Sequence, residues 1–155
     1  MKLPPLGPLH IEDPRSPTTL ISEPIAVPYF DGKKLPFRCW DLSDADEAET
    51  LRAVEAFLRK TSRDREAVSE AVYKNFCEIN EAVDGGAGCE IGEARDVWNF
   101  IDPRFIDLRR DRGAGPIYVQ ILAECGWEPE HGLQLIYRGG EELTRVSGQD
   151  GELTD

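Results

Sequence analysis

The spacing of apolar side chains changes twice along this chain. It is two in the first forty residues, three to four between 45 and 101, and two again beyond 105. A period of two marks a strand with one buried face, and a period near 3.6 marks a helix with one buried stripe. Ile25, Val27 and Tyr29 alternate with Ala26, Pro28 and Phe30; after Asp31-Gly32, Leu35, Phe37 and Cys39 alternate with Lys34, Pro36 and Arg38. Asp-Gly favours a two-residue hairpin turn, but that register would set Val27 opposite Pro36 and Ile25 opposite Arg38. A three-residue loop, Asp31-Gly32-Lys33, instead pairs Tyr29 with Leu35, Val27 with Phe37 and Ile25 with Cys39. The apolar faces then coincide, as a half-buried hairpin requires. The expectation is a bulged turn with Gly32 at positive φ.

Asp41-Leu42-Ser43-Asp44 offers helix caps, and residues 45–60 line up Ala48, Leu51, Val54 and Leu58 with Phe57 beside them. Thr61-Ser62 breaks the run and caps a second helix, about 63–83, whose stripe is Val68, Val72, Phe76, Ile79 and Val83. So short a break predicts an antiparallel helix pair. Asp84-Gly85-Gly86-Ala87-Gly88 follows as a flexible loop. A shorter helix, roughly 93–101, buries Val97, Trp98 and Ile101 and stops at Pro103. Phe105 to Arg109 reads as a strand, followed by a polar turn. Ile117 to Ala123, rich in β-branched and aromatic residues, is the central-strand candidate. Leu133–Arg138 and Glu141–Val146 form a hairpin around Gly139-Gly140, with Arg138 opposite Glu141 and Leu133, Leu135 and Val146 on one face.

Strands and helices are segregated, which predicts an α+β fold. Its antiparallel β-sheet comprises the N-terminal hairpin and the C-terminal meander. The inserted helix pair and the third short helix pack on it. The length suits a single domain over 1–155. Residues 1–24 hold six of the eleven prolines, which remove ladder donors. They are expected to form a mostly irregular arm with a short edge strand at Leu9 to Glu12. Residues 147–155 read as a polar tail.

Charge narrows the partners. The formal net charge is −12, and residues 41–100 carry 15 acidic against 7 basic side chains. A field of that sign repels phosphate backbones and attracts basic proteins, so a basic protein partner is expected and nucleic acid is not. Met1 to Pro8 lacks the apolar core of a signal peptide, and no run approaches the ~20 apolar residues of a membrane span. Cys39, Cys77, Cys89 and Cys125 form no CxxC pair. Together these features predict a cytoplasmic protein with free thiols and no membrane contact.

The densest gathering of reactive side chains is Cys125-Gly126-Trp127-Glu128-Pro129-Glu130-His131-Gly132, between two strands. Cys125 and His131 could form a thiol–imidazole pair, and Glu128 and Glu130 a pair of carboxylates. A zinc site needs three or four ligands at recognisable spacing. With His10 the only other histidine, and no HExxH or CxxC, no metal or cofactor is expected. There is no GxSxG elbow, and the Gly85–Gly88 loop lacks the lysine of a phosphate-binding loop. Trp127 is either a plug closing the sheet end or an exposed anchor of the kind enriched where proteins meet. The candidate protein-binding residues are therefore Trp127, Glu128, Glu130 and His131.

The run from Tyr118-Val119 through Cys125-Gly126-Trp127-Glu128-Pro129-Glu130-His131-Gly132-Leu133-Gln134 to Asp150-Gly151-Glu152-Leu153-Thr154 resembles a family of small acidic bacterial domains of unknown function. Their C-terminal signature is similar to cysteine, x, Trp-Glu, x, Glu-His-Gly-Leu-Gln, then Asp-Gly-x-Leu-Thr. The hairpin Pro28 to Leu35 and the helical middle resemble it too. Where many members read Asp-Gly-His, this chain reads Asp150-Gly151-Glu152, which removes a second histidine and weakens a catalytic or metal reading. By analogy with small acidic bacterial domains, the resemblance implies an immunity-type protein. The leading expectation is a non-enzymatic cytoplasmic binding protein that neutralises a basic toxin domain through an acidic surface, drawn from residues 41–100 and the Glu124–Glu130 loop. The alternatives are a small hydrolase or transferase using His131 with Glu128, Glu130 or Cys125, and a subunit of a larger complex.

Overall fold

Most of the period-two segments become strands, and the middle segment is largely helical. The computed structural model describes residues 1–155. In chain order the strands are β1 (Leu9–Ile11), β2 (Thr19–Ser22), β3 (Ile25–Val27), β4 (Lys33–Leu35) and β5 (Phe37–Trp40). The helices α1 (Glu47–Leu58), α2 (Ser62–Ala67) and α3 (Ser69–Ala82) follow, then a 3-10 segment, Ala94–Phe100. The chain closes with β6 (Ile101–Asp111), β7 (Ala114–Cys125), β8 (Leu133–Arg138) and β9 (Glu142–Ser147). Seven strands form one sheet in the order β1-β2-β5-β6-β7-β8-β9, and β3 pairs with β4 as a separate ribbon. The fold is α+β, and all neighbours in the large sheet are antiparallel except β5 and β6. That parallel pair departs from the purely antiparallel expectation. The helices occupy the β5–β6 connection, and a crossover of this length lets two parallel strands lie side by side.

Several local expectations shift for identifiable reasons. Pro28–Phe30 folds as a 3-10 turn that drops Tyr29 and Phe30 into the core. The ribbon register is therefore Ile25 opposite Leu35 and Val27 opposite Lys33, not Tyr29 opposite Leu35. Gly32 does take a positive φ, 83°. Phe37 and Cys39 leave the ribbon for the large sheet, where β5 pairs with β2. The proline-rich arm thus supplies two strands, and it buries Leu3 and Leu6 as well. Pro103 does not stop a helix; it sits within β6 at a register shift, where a missing donor is tolerated. The second helix is split at Val68 (φ −103°, ψ 7°). Thr61 still caps its start, with Asp64 completing the reciprocal bond. The β8–β9 loop has three residues, so Arg138 faces Glu142. Gly139 and Gly140 both take positive φ there.

One face of the sheet is apolar. Across it run Cys39, Leu108, Val119, Tyr137 and Leu143, and beside them Phe37, Ile106, Ile121, Leu135 and Val146. α1 packs on β7, and α3 packs on β9 and the 3-10 segment, so each inserted helix covers its own part of this face. The core continues through Val54, Phe57, Val72, Phe76 and Val97. The opposite face carries Arg38, Asp107, Gln120, Gln134, Ile136 and Arg145 in register. The last eight residues cross this face instead of trailing into solvent. Leu153, 0% exposed, seats against Tyr118 and Ile136.

Candidate functional site

The turn after β7 is held from within. Trp127, 2% exposed, stacks edge-on against Phe76 of α3 with ring centroids 5.8 Å apart. Its indole N–H donates to Asn75 Oδ1 at 3.0 Å. It is a rivet between the sheet end and α3, so the aromatic anchor expected at a binding surface is not offered to solvent. Glu128, Glu130 and His131 remain on the rim. His131 Nδ1 meets Glu128 Oε1 at 2.9 Å, and the imidazole is 67% exposed. Glu128 raises the His131 pKa by that bond and its charge. The Cys125 thiol is buried, and burial pushes its pKa up to about 11. That leaves too little thiolate near neutrality for nucleophilic attack. Cys39 is likewise buried and pushed up to about 12, and all four cysteines are unpaired. No three His, Cys, Asp or Glu side chains come together as a metal-binding group.

The helix-free face holds two polar clusters. Asp107, almost wholly buried, accepts from Arg38 Nε at 2.7 Å and Nη2 at 3.0 Å, and from the Trp40 indole at 2.8 Å. Burial still raises its pKa above the ordinary carboxylate value, despite these opposing partners. Gln120 donates to Gln134 Oε1 at 2.6 Å. Gln134 donates in turn to Ser147 Oγ, Asp150 Oδ1 and the Glu152 carbonyl. Arg145 clamps Asp150 with bonds of 2.7 and 2.8 Å and holds its carboxyl well below the usual range. Gln149 reaches back to the Ala123 and Leu133 carbonyls. Asp150, Gly151 and Leu153 are therefore parts of one strap that closes the face, tied to β8 through Gln134. Gly151 has the positive φ its turn needs, 84°, and Glu152 points outward with only Arg112 near, at 3.6 Å.

Part of the unspent negative charge lies on α3 and the loop after it. Glu70, Glu81, Asp84 and Glu90 are exposed, and none lies within ion-pair distance of a cation. Between α3 and residues 85–92 is a groove of about 680 Å³. Tyr73, Phe76 and Ile91 form its apolar side and Glu81 and Glu90 its acidic rim. The Tyr73 hydroxyl donates to the Ile91 carbonyl at 3.3 Å and fixes the far wall. A second groove, about 250 Å³, runs between the opposite flank of α3 and β9. Sequence pattern located the acidity but not these grooves. Their signal was the polar side of the α3 repeat, in which Ala71, Asn75 and Glu78 share one stripe at helical spacing.

Fold and site together define an α+β domain with an acidic, grooved helix face. Residues 6–153 match the model of the domain of unknown function DUF6985, and the chain belongs to that family. No curated protein and no solved structure matches it.

Proposed function

We propose that this is a non-enzymatic binding protein that engages a basic protein partner through the acidic face of α3 and the loop that follows it. The observation that carries this reading is the set Glu70, Glu81, Asp84 and Glu90, exposed and unpaired beside an aromatic-floored groove. Lysine and arginine fit such a groove, since their aliphatic stems lie on apolar surface while their heads reach carboxylates. A field of one sign raises the association rate by roughly 10–10³-fold, and affinity comes from the few groups that bury. An immunity-type role against a basic toxin domain, in the cytoplasm, accounts for the acidity and the free thiols together. Glu128, Glu130 and His131 then extend the acidic rim, while Trp127 holds that rim to α3 from inside. A hydrolase or transferase built on His131 is disfavoured: the imidazole partners only Glu128, and the Cys125 thiol is buried and protonated.

The test is co-expression with basic products encoded beside its gene, with association rate measured against ionic strength. Binding should weaken with salt and with Glu70→Lys, Glu81→Lys and Glu90→Lys together. A partner that binds equally well to this variant, or at all salt concentrations, refutes the reading.

A further inference from the structure

We infer that the basic segment of the partner adds as an extra strand along β9, in the groove between β9 and α3. This rests on the reading that the partner is basic. β9 is the last strand of the large sheet and pairs only with β8. An edge strand turns alternate backbone N–H and C=O groups away from its neighbour. No backbone group of residues 142–147 forms a hydrogen bond with a turn, a loop or a side chain, so the outward row lacks partners within the chain. The other edge is guarded differently. β1 is three residues long, with Pro8 before it and Pro14 and Pro17 after it, the usual protection against stray pairing. β9 has six residues and no proline. A register shift near Thr144 divides it, leaving Arg145-Val146-Ser147 as the regular stretch.

The groove supplies what a bare edge would not. Ala71 is small enough to leave room over Leu143 and Val146, which are half-buried. The two cations at the groove are already compensated. Lys74 lies 3.8 Å from Glu78, and Arg145 is turned to the far face by Asp150 and Asp155. Glu141 and Glu142 on the hairpin, next to Leu143 at the groove, are exposed without an ion pair. An extended segment that alternates lysine or arginine with apolar residues would set its backbone on β9. Its apolar side chains would enter the groove and its cations would face those carboxylates. Main-chain bonds then give affinity and alternate side chains give specificity. A second copy of this chain is a poor occupant, because each copy carries a net charge of −12.

The experiment is an NMR titration of the full-length, 15N-labelled protein with the blocked peptide acetyl-Lys-Val-Lys-Val-Lys-Val-amide. The fully N-methylated form of the peptide keeps its charge and side chains but loses every backbone donor. Shifts should cluster at 142–147 and 71–78, and the outward amides of β9 should gain protection from exchange. N-methylation should weaken binding by about tenfold or more, the worth of one or two main-chain hydrogen bonds. Ala71→Trp, at an exposed helical position, should block the groove without unfolding the protein, as checked by circular dichroism. If both peptides bind alike, if Ala71→Trp has no effect, or if the shifts map to 84–92, strand addition is overturned. In those cases binding that still falls with salt leaves the basic-partner reading intact. Failure of any basic peptide to bind at low salt overturns both.

Discussion

Leu153→Ala tests the strap. Leu153 is fully buried against Tyr118 and Ile136. The segment that carries it is also fixed by Asp150 on Arg145 and Gln134, and by the Arg109 bond to the Gly151 carbonyl at 2.8 Å. Removing three carbons loses about 0.8 kcal/mol of transfer free energy for each, or about 2.4 kcal/mol. In a closed core the remaining cavity would raise the loss toward the 2–5 kcal/mol typical of Leu→Ala. Here the segment is terminal, and it can lift off instead of enclosing a void. The polar bonds that held it are then exchanged for water at modest net cost. The expected loss is therefore about 2 kcal/mol, at the low end of the core range. Urea denaturation gives the global change. Hydrogen exchange and limited proteolysis show where it falls: residues 148–155 should become cleavable and the amides around Tyr118 and Ile136 should exchange faster, while α1 and α3 stay protected. A loss below about 0.5 kcal/mol, or within the range of ordinary surface substitutions, with the tail still resistant, would show that Leu153 does not anchor the strap.

Gly140→Ala should destabilise by more than about 2 kcal/mol, because the added Cβ would lie 2.1 Å from the Ala53 carbonyl oxygen at φ +73°; the backbone conformation alone costs about 1–2 kcal/mol, and an unchanged urea midpoint would disprove the close approach of this turn to α1. Trp127→Phe should cost about 1–2 kcal/mol by leaving Asn75 without its donor, and Trp127→Ala about 3–5 kcal/mol; loss of partner binding by either variant while still fully folded would mean that the indole is a surface anchor after all. Asp107→Ala should cost about 3–5 kcal/mol by stranding the largely buried Arg38, and a neutral result would argue against an ionic pair at this site. His131 has a raised pKa in the folded state, so its small contribution is present below the ordinary value near 6.5 and fades as pH rises through the folded one. Glu128→Gln should lower the His131 pKa in an NMR titration, and an unchanged value would rule out Glu128 as the cause.

The elements legible in the sequence were those whose period matched one neighbour layer. The stripe Val54, Phe57, Val72 and Phe76 is buried as its spacing requires, and β7 is a central strand. The misreadings occurred where a residue served a distant contact. Nothing local tells that Tyr29 leaves the ribbon to put its hydroxyl 2.9 Å from that of Tyr137, and this contact shifts the ribbon register. Leu20 and Ile21 were hidden among prolines, yet they pair with Cys39 and Arg38 in the large sheet. The tail looked solvated because its polar side chains are many. Gln134 and Arg145, its partners, lie on strands whose polar positions were expected to face water. The site divided in the same way: Glu128 and His131 do meet, whereas the role of Trp127 depended on Asn75 and Phe76, fifty residues earlier in the chain.

The way the sheet is covered narrows where a partner can act. Its apolar face is taken by α1 and α3, and its polar face is crossed by the strap on Leu153. The β1 edge is short and flanked by prolines. A partner that bound either face would first have to displace a docked element, losing buried contacts before making new ones. The β9 edge and the outer surface of α3 require no such displacement. They also carry carboxylates that the fold leaves unpaired at Glu70, Glu81, Glu141 and Glu142. Folding does not need these charges, and their mutual repulsion slightly opposes it.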